Sequence, residues 1–419
     1  AKVDAIHPGY GFLSESAPFS QACADAGIAF VGPPPEVLRT FGDKTAARKL
    51  AIEHGVPVVP GSDGPVGTLN EAQAFASEAG FPLIIKAAMG GGGRGMRVVR
   101  NTGELADAFE RAKSEAQAAF GDGTVFIEPF IVRGRHVEVQ ILGDAHGNVV
   151  HLGDRECSVQ RRNQKVIEEA PSPGIDDGVR ARLHEGALAL ARHVGYVGAG
   201  TVEFMVGADG TITFLEVNTR LQVEHPVTEA ITGIDLVEMQ IGVANGHELP
   251  FTQDDVEFDG HAIEVRLVAE DPAAGWVPST GTLTEFDIAG DVRVDTGFRA
   301  GSTVSPDYDS LLAKVVAHHG DRGVATLQIG RAMRTARIGG VATNADMLAA
   351  AMADPDFRGA QTFTSYLDDH PDVVADPGPV GDDRLALLLG GVFADEMRRL
   401  ERDDPTTFAP SGWRNLRTR

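Results

Sequence analysis

Cysteine is scarce: Cys23 and Cys157 are the two in 419 residues. That excludes a disulfide framework and a thiolate metal site, and it suits a reducing cytoplasm. Positive charge is also short. Thirty-seven Lys and Arg face 60 Asp and Glu, for a net charge of −23, which argues against nucleic acid or an anionic membrane as main partner. No apolar run approaches membrane-spanning length, no signal peptide is expected, and no internal repeat stands out. What is present is ordinary for a soluble globular protein: 42% hydrophobic and 23% charged residues, in a chain long enough for more than one domain.

The richest stretch is Phe214–Glu229, FLEVNTRLQVEHPVTE. Ile212, Phe214, Leu215 and Val217 suit a strand. If the segment stays extended, Glu216, Asn218, Arg220, Gln222 and Glu224 share one face. A solvent-facing edge also alternates, but this polar set is chemically diverse and lacks Lys. Upstream, Thr201–Val206 and Thr211–Leu215 flank Gly207–Gly210, a hairpin signal. Pairing Val206 with Thr211 places Glu203 opposite Phe214 and diagonal to Glu216. Two converging carboxylates with an Asn carbonyl form a hard-oxygen set for Mg²⁺ held jointly with phosphates; without a cation the like charges would be costly.

The opening residues read as a strand entering a loop, so the chain is expected to begin inside a domain. Val3–Ile6 and Ile28–Val31 are strands around a helix opened by Ser14–Pro18, a parallel α/β unit with little functional signal. Lys44 starts a helix running to about His54. Lys86 sits in an apolar strand, Phe81–Ala87, and needs a partner. Gly90–Gly95 follows and then the strand Met96–Val99. With no helix and no GK[ST] after it, this is not a Walker loop but a flap able to cover phosphates. Glu104–Ala119 is helical. Thr124–Ile127 is a strand whose end, Glu128-Pro129, frees backbone groups for a ligand edge such as adenine. Arg135–Ile141 alternates, with His136 read locally as a surface residue. Arg155, Arg161, Arg162 and Lys165 form the densest basic patch, an anion-site candidate in so acidic a chain. Leu183–Val194 and Ile234–Ala244 are helices. His261–Val268, Thr282–Phe286, Asp291–Val294 and Ser310–His318 are strands, and two helices near 323–336 and 343–352 complete an α+β unit. Pro371–Asp382 reads as linker, and Asp383–Glu401 as helix.

These segments carry a family likeness. IHPGYGFLSE, GDK, GSDGP, IIKAAMGGGGRGMRVV, RHVEVQI, CSVQRRNQKVIEEAP, GTVEF, FLEVNTRLQVEHPVTE and EVRLVAEDP occur in family order over residues 1 to about 367. The chain resembles the biotin carboxylase module of biotin-dependent carboxylases, in the ATP-grasp superfamily. PSGWRN near the end looks like the start of the linker domain of an acyl-CoA carboxylase α-chain.

The resemblance implies an α/β and α+β architecture. Residues 1–42 would be a partial N-terminal (pre-ATP-grasp) domain, and 43–255 the ATP-grasp domain with a mobile lid near 62–131. Residues 256–367 would be the C-terminal biotin carboxylase domain, and 368–419 a linker. It implies carboxylation of carrier-borne biotin from MgATP (or the Mn²⁺ complex) and bicarbonate through carboxyphosphate. Lys44, Lys86, Gly92, Gly93, Glu128, Ile131, His136, Gln160 and Asn163 would line ATP, and Glu203, Glu216 and Asn218 would hold Mg²⁺. Lys165, Arg220, Gln222 and Val223 would hold bicarbonate, Glu224 would deprotonate it, and Arg220 and Arg266 would stabilise the biotin enolate. Implied partners are a biotin carboxyl carrier domain, a carboxyltransferase subunit and a second copy of the chain. The family often has His at 163 and Lys at 129; here they are Asn and Pro. No Met-Lys-Met attachment motif occurs, so the carrier acts in trans or lies outside this sequence. Two other readings remain open: another bicarbonate-activating ATP-grasp ligase, such as a carbamoyl-phosphate synthetase half, and a nucleotide-binding fragment that does not turn over.

Overall fold

Short apolar runs bounded by Pro and Gly make only short strands at the start. The computed structural model describes residues 2–59, 61–62, 64–87, 96–375, 389–393 and 397. Gly92, Gly93 and the rest of the flap lie outside these residues, as do PSGWRN and most of the helix expected over 383–401. Two units divide the chain, Ala1–Val374 and Ala375–Arg419; the first holds the elements that follow. In it β1 (Ala5–Ile6) and β2 (Ala29–Phe30) pair in parallel around α1 (Ala17–Asp25), whose Ser16 cap accepts from Phe19 N–H. Next come α2 (Pro35–Gly42) and α3 (Lys44–Glu53). Asp43 caps α3 by accepting from the N–H groups of Thr45 and Ala46, as short acidic side chains do at a helix start.

A small layer follows: α4 (Leu69–Ala79), β3 (Leu83–Ala87), β4 (Met96–Val99), α5 (Thr102–Phe120) and β5 (Val125–Pro129). Its antiparallel sheet runs β4-β3-β5. Leu83, Ile85, Leu105, Phe109 and Ile127 bind it to its helices as a separate core. Gly121 ends α5 at φ +76°, a left-handed turn that glycine enters without strain. Pro129 does not interrupt the ladder as expected. It pairs with Leu83, and Phe130 N–H still reaches the Pro82 carbonyl at 2.9 Å.

The main sheet is antiparallel and eight-stranded. In chain order its strands are β6 (Arg135–Gly143), β7 (Val149–Arg161), β8 (Gln164–Ala170), β9 (Gly198–Val206), β10 (Ile212–Asn218), β11 (His261–Val268), then Arg293–Thr296 and Leu311–His319. Its spatial order is β10-β9-β6-β7-β8-β11, then Leu311–His319, then Arg293–Thr296. Because β8 pairs with β11, one sheet runs through both sides of residue 255. The helix α6 (Asp177–His193) starts earlier than its apolar run, because Asp176 caps it through Val179 N–H. Its Leu183, Ala187 and Leu190 pack with Val137, Val139, Val202 and Phe204. That puts His136, Glu138 and Gln140 on the opposite face, and they too are buried.

Three local readings are corrected. First, the basic stretch is the β7–β8 hairpin, not one continuous anion patch. Arg162 and Asn163 make its two-residue turn at φ +49° and +65°, the left-handed pair that a tight hairpin needs, and Arg155 points inward. Second, Val206 pairs with Ile212, not Thr211, and a bulge after Phe214 sets Glu203 directly across from Glu216. Third, the chain is not extended to Glu224. β10 stops at Asn218, and α7 (His225–Thr232) begins with Glu224 as its cap. Pro226 favours that helical start and cannot donate to a ladder.

Helices α8 (Leu236–Ala244), α9 (Arg322–Thr335) and α10 (Ala345–Ala353) lie close to their expected places. The strand expected over Thr282–Phe286 splits, its halves pairing with Thr303–Val304 and Arg337–Gly339. The expected linker begins with a helical turn, Pro371–Val374, that buries Val373 in the C-terminal core.

Phe109 is fully buried in the small layer, whereas Ile52 on α3 is 57% exposed. Phe109→Ala should therefore weaken that layer by about 3–5 kcal/mol, and Ile52→Ala by less than about 0.5 kcal/mol. Hydrogen exchange at the Leu83–Ala87 amides checks this: protection should fall in the first variant and hold in the second.

Candidate active site

Strand register builds the site. Arg155, Glu138, Glu203 and Glu216 stand in line across β7, β6, β9 and β10. Side chains directly opposite on neighbouring strands approach closely, so one guanidinium and three carboxylates form a row, buried from Arg155 through Glu138 to Glu203 and partly open at Glu216. Lys165 on β8 reaches over them. Its Nζ donates to Glu138, to Glu203 Oε1 at 2.9 Å and to Glu224 Oε1 at 2.6 Å. Arg266 on β11 closes the far side, donating to Glu224 Oε2 at 2.9 Å and to Glu168 Oε1 at 2.6 Å.

The segment between β10 and α7 brings in the rest. Gln222 Nε2 donates to Glu203 Oε1 at 2.9 Å, and Arg220 Nη2 to Asn218 Oδ1 at 2.9 Å. The Val223 carbonyl accepts from Lys314 Nζ at 3.0 Å. Lys44 Nζ stands 3.8 Å from Glu216 Oε2. Gln160 Nε2 donates to the Cys157 carbonyl and to His136 Nδ1, each at 2.7 Å. That leaves the imidazole proton on Nε2, 3.1 Å from Glu203 Oε2. His136 is thus a buried site residue, not the surface residue read locally.

Elsewhere Lys86 finds its partner in Glu128 at 2.5 Å, with Arg48 3.7 Å from the same carboxylate. Asn163 is exposed at the hairpin tip, and Ile131 sits in the connection from β5 to β6.

Burial disfavours the Glu224 carboxylate, but Lys165, then Arg266 and Arg155, hold its pKa well below the ordinary value. Glu203 is likewise lowered against its burial by Lys165 and His136. Lys165, also buried, is raised by Glu138, Glu203 and Glu224. Glu216 goes the other way: burial and the facing Glu203 push it up, with Lys44 opposing. Glu203 and Glu216 therefore form a like-charged pair that a cation would relieve. Asn218 adds an amide oxygen beside them, and its Nδ2 is buried without a partner. Nearby, His136, Glu138 and Glu203 offer ligand atoms within 4.8 Å of one another. This oxygen-rich set fits a divalent ion such as Mg²⁺.

Several residues escaped the sequence reading. Glu138 was visible only as one polar position in RHVEVQI. Arg155 looked like part of a charge run. Glu15, in a stretch with little functional signal, accepts from Thr219 N–H at 2.9 Å and from Arg220 Nε at 3.2 Å.

An antiparallel sheet with a separate small sheet layer and a buried acidic site is the architecture of the ATP-grasp fold. Three family profiles match the chain: "Biotin carboxylase, N-terminal domain" over 1–38, "Carbamoyl-phosphate synthase L chain, ATP binding domain" over 43–252, and "Biotin carboxylase C-terminal domain" over 264–369. The chain belongs to the biotin carboxylase family of biotin-dependent carboxylases. It is 44% identical to the biotin carboxylase domain of Hydrogenobacter thermophilus 2-oxoglutarate carboxylase, solved as a dimer with MgADP, ADP and bicarbonate. That match has a TM-score of 0.86 and covers 89% of this chain and 83% of that one. Pyruvate carboxylase 1 of Caenorhabditis elegans is 51% identical over 98% of this chain and 36% of its own length. The α subunit of Arabidopsis thaliana mitochondrial methylcrotonoyl-CoA carboxylase is 47% identical over 89% of this chain and 52% of its own. The chain thus spans about a third of the length of the pyruvate carboxylases it matches. Among the described residues no helix is long and apolar enough to cross a membrane.

Behind Arg266, Glu264 on β11 faces Glu168 on β8. Both Glu264 oxygens are buried without partners. Burial and Glu168 push Glu264 well above its ordinary 4.5, with Lys314 and Arg266 opposing. Below 4.5 the group is protonated whether folded or not. As pH rises past 4.5 the unfolded chain releases this proton while the folded chain keeps it, so stability falls with pH until the raised folded value is passed. Glu264→Gln has no such proton. Its melting temperature should gain on the wild type as pH rises from about 4.5 to about 8; a constant difference would contradict the assignment.

Proposed function

We propose that this chain uses ATP and bicarbonate to carboxylate biotin on a carrier domain, the first half-reaction of a biotin-dependent carboxylase. The observation that carries this reading is Glu224, an ionised carboxylate sealed between Lys165 and Arg266 and set beside the Glu203–Glu216 pair. Bicarbonate is a weak nucleophile and needs a positioned base. With its pKa held down, Glu224 is ionised at neutral pH and so able to accept a proton, and an anion drawing on Lys165 and Arg266 would strengthen it as a base. Lys165, the Arg220 guanidinium, the Gln222 amide and the Val223 N–H would hold the anion against it.

Glu224 takes the bicarbonate proton as the bicarbonate oxygen attacks the γ-phosphorus and ADP leaves, giving carboxyphosphate. Carboxyphosphate then divides into CO₂ and phosphate. The phosphate takes the N1′ proton of biotin, and the enolate, held by Arg220 and Arg266, attacks CO₂. Mg²⁺ at Glu203, Glu216 and Asn218 would supply charge neutralisation on the phosphates. Lys44, Lys86, Glu128, Ile131, His136, Gln160 and Asn163 would line the nucleotide, with Gly92 and Gly93 in a covering flap that excludes water from carboxyphosphate.

In this reading 1–42 is the N-terminal domain, 43–255 the ATP-binding domain with a lid near 62–131, 256–367 the C-terminal domain and 368–419 a linker. A carrier, a carboxyltransferase and a second copy of the chain are the proposed partners. The final acceptor, acyl-CoA or a 2-oxo acid such as pyruvate, is set by the carboxyltransferase; relatives of both kinds match at 47% and 51%. The unpaired, buried Cys23 and Cys157 support a reducing, cytoplasm-like compartment.

Phosphate release from MgATP should require bicarbonate and rise with free biotin. Glu224→Gln should lower that release about 100-fold or more while ATP still binds; unchanged release would reject the base. ATP binding with no release in the wild type would favour the fragment that does not turn over. Arg266→Ala should depress biotin carboxylation more than bicarbonate-dependent ATP cleavage, and equal losses would remove Arg266 from the enolate step.

A further inference from the structure

Arg155 has no access to solvent, so no substrate touches it. Yet its guanidinium is among the most heavily bonded groups in the structure. Nε donates to Glu138 Oε1 at 2.6 Å. Nη1 donates to Gln140 Oε1 at 2.7 Å and Thr228 Oγ1 at 2.9 Å. Nη2 donates to Gln222 Oε1 at 2.8 Å and Thr201 Oγ1 at 3.2 Å. One planar fork from β7 thus fastens β6, β9, the segment after β10 and helix α7.

The bond to Gln222 has a chemical consequence. A side-chain amide can turn over, exchanging its oxygen for its NH₂ at small cost in shape. Here Gln222 Oε1 is committed to Arg155, so Nε2 must face Glu203, where it donates at 2.9 Å. That NH₂ has a second N–H to give. The same fork reaches Thr228, one turn into the helix that Glu224 caps, and Glu138, which accepts from Lys165.

We infer that Arg155 is the positioning residue of the anion pocket: it fixes the Gln222 amide with its donors inward and ties α7, and with it Glu224, to the sheet. This rests on the bicarbonate reading above. Lysine cannot replace it, because an ammonium lacks the planar fork that meets five acceptors at once.

The test is Arg155→Lys in the intact chain. Its KM for bicarbonate should rise about tenfold or more, the size expected for losing a charge-assisted hydrogen bond, while its KM for ATP stays within about twofold. A purely structural role would move both constants together or neither. In a Gln222→Ala background the same change should add only about threefold, through the remaining tie to Thr228, because the Gln222 partner is already gone; a full additional loss of about tenfold would overturn the inference. A second readout needs no turnover. Bicarbonate alone should raise the melting temperature of the wild type and raise it less in Arg155→Lys; equal shifts would overturn the inference. If Arg155→Lys does not fold, Thr228→Val removes one anchor at constant volume. It should still raise the bicarbonate KM about threefold, and an unchanged value would count against the inference. A wild type without bicarbonate-dependent ATP cleavage removes the underlying reading. An active wild type with an indifferent Arg155→Lys removes this inference alone.

Discussion

An ammonium shared among three buried carboxylates is the constraint on which the site depends. Lys165 meets Glu138, Glu203 and Glu224 in one place. Any one of these anions, left alone in the interior, would be neutralised by taking up a proton. Together with Arg155 and Arg266 the lysine keeps Glu203 and Glu224 ionised. Charge is nevertheless not fully balanced: Glu216 and Glu264 are pushed up by burial and by a neighbouring anion. Glu216 lies in the oxygen set suited to a divalent ion, Glu264 lies behind Arg266 beside Glu168, and cations gather around Glu224. The proposed function, with a metal and a bicarbonate anion side by side, would use such a separation of sign over a few ångströms.

The sheet supplies the separation. Antiparallel register turns residues far apart in sequence into a row of neighbours, and each strand contributes one or two polar groups to it. The bulge after Phe214 matters here. Without the extra residue, Glu216 would fall out of line with Glu203 and a half-buried strand would present the wrong face. The helix α7 then closes the row, with Glu224 as its N-cap residue, while Val227 and Ile231 seal the layer beneath with Ala170, Ala262 and Val316.

Much of this was legible in the sequence. The diverse polar set of FLEVNTRLQVEHPVTE announced the site, and the hairpin before it announced two converging carboxylates. The family segments gave the class of fold. What was not legible was geometry that depends on partners. A one-residue error in the β9–β10 register could not be seen, because a loop of Gly, Ala and Asp tolerates either pairing and the bulge leaves no local mark. His136 and Glu138 read as a solvent face because alternation shows two faces but not that both are covered. Arg155 was indistinguishable from Arg161 and Arg162 until the turn at Arg162-Asn163 separated the strand from its tip. Glu15 acts across about 200 residues of chain, a pairing no local pattern encodes.

The seam between β8 and β11 bears on when the site comes into being. Lys165 lies on β8, Arg266 on β11, and Glu224 is gripped by both. The two strands are joined by main-chain hydrogen bonds, not by a hinge. Glu224 and its two cations are therefore brought together by the pairing of the sheet itself. On the proposed function, a ligand would meet these three side chains already in register, and little of its binding energy would go into ordering them.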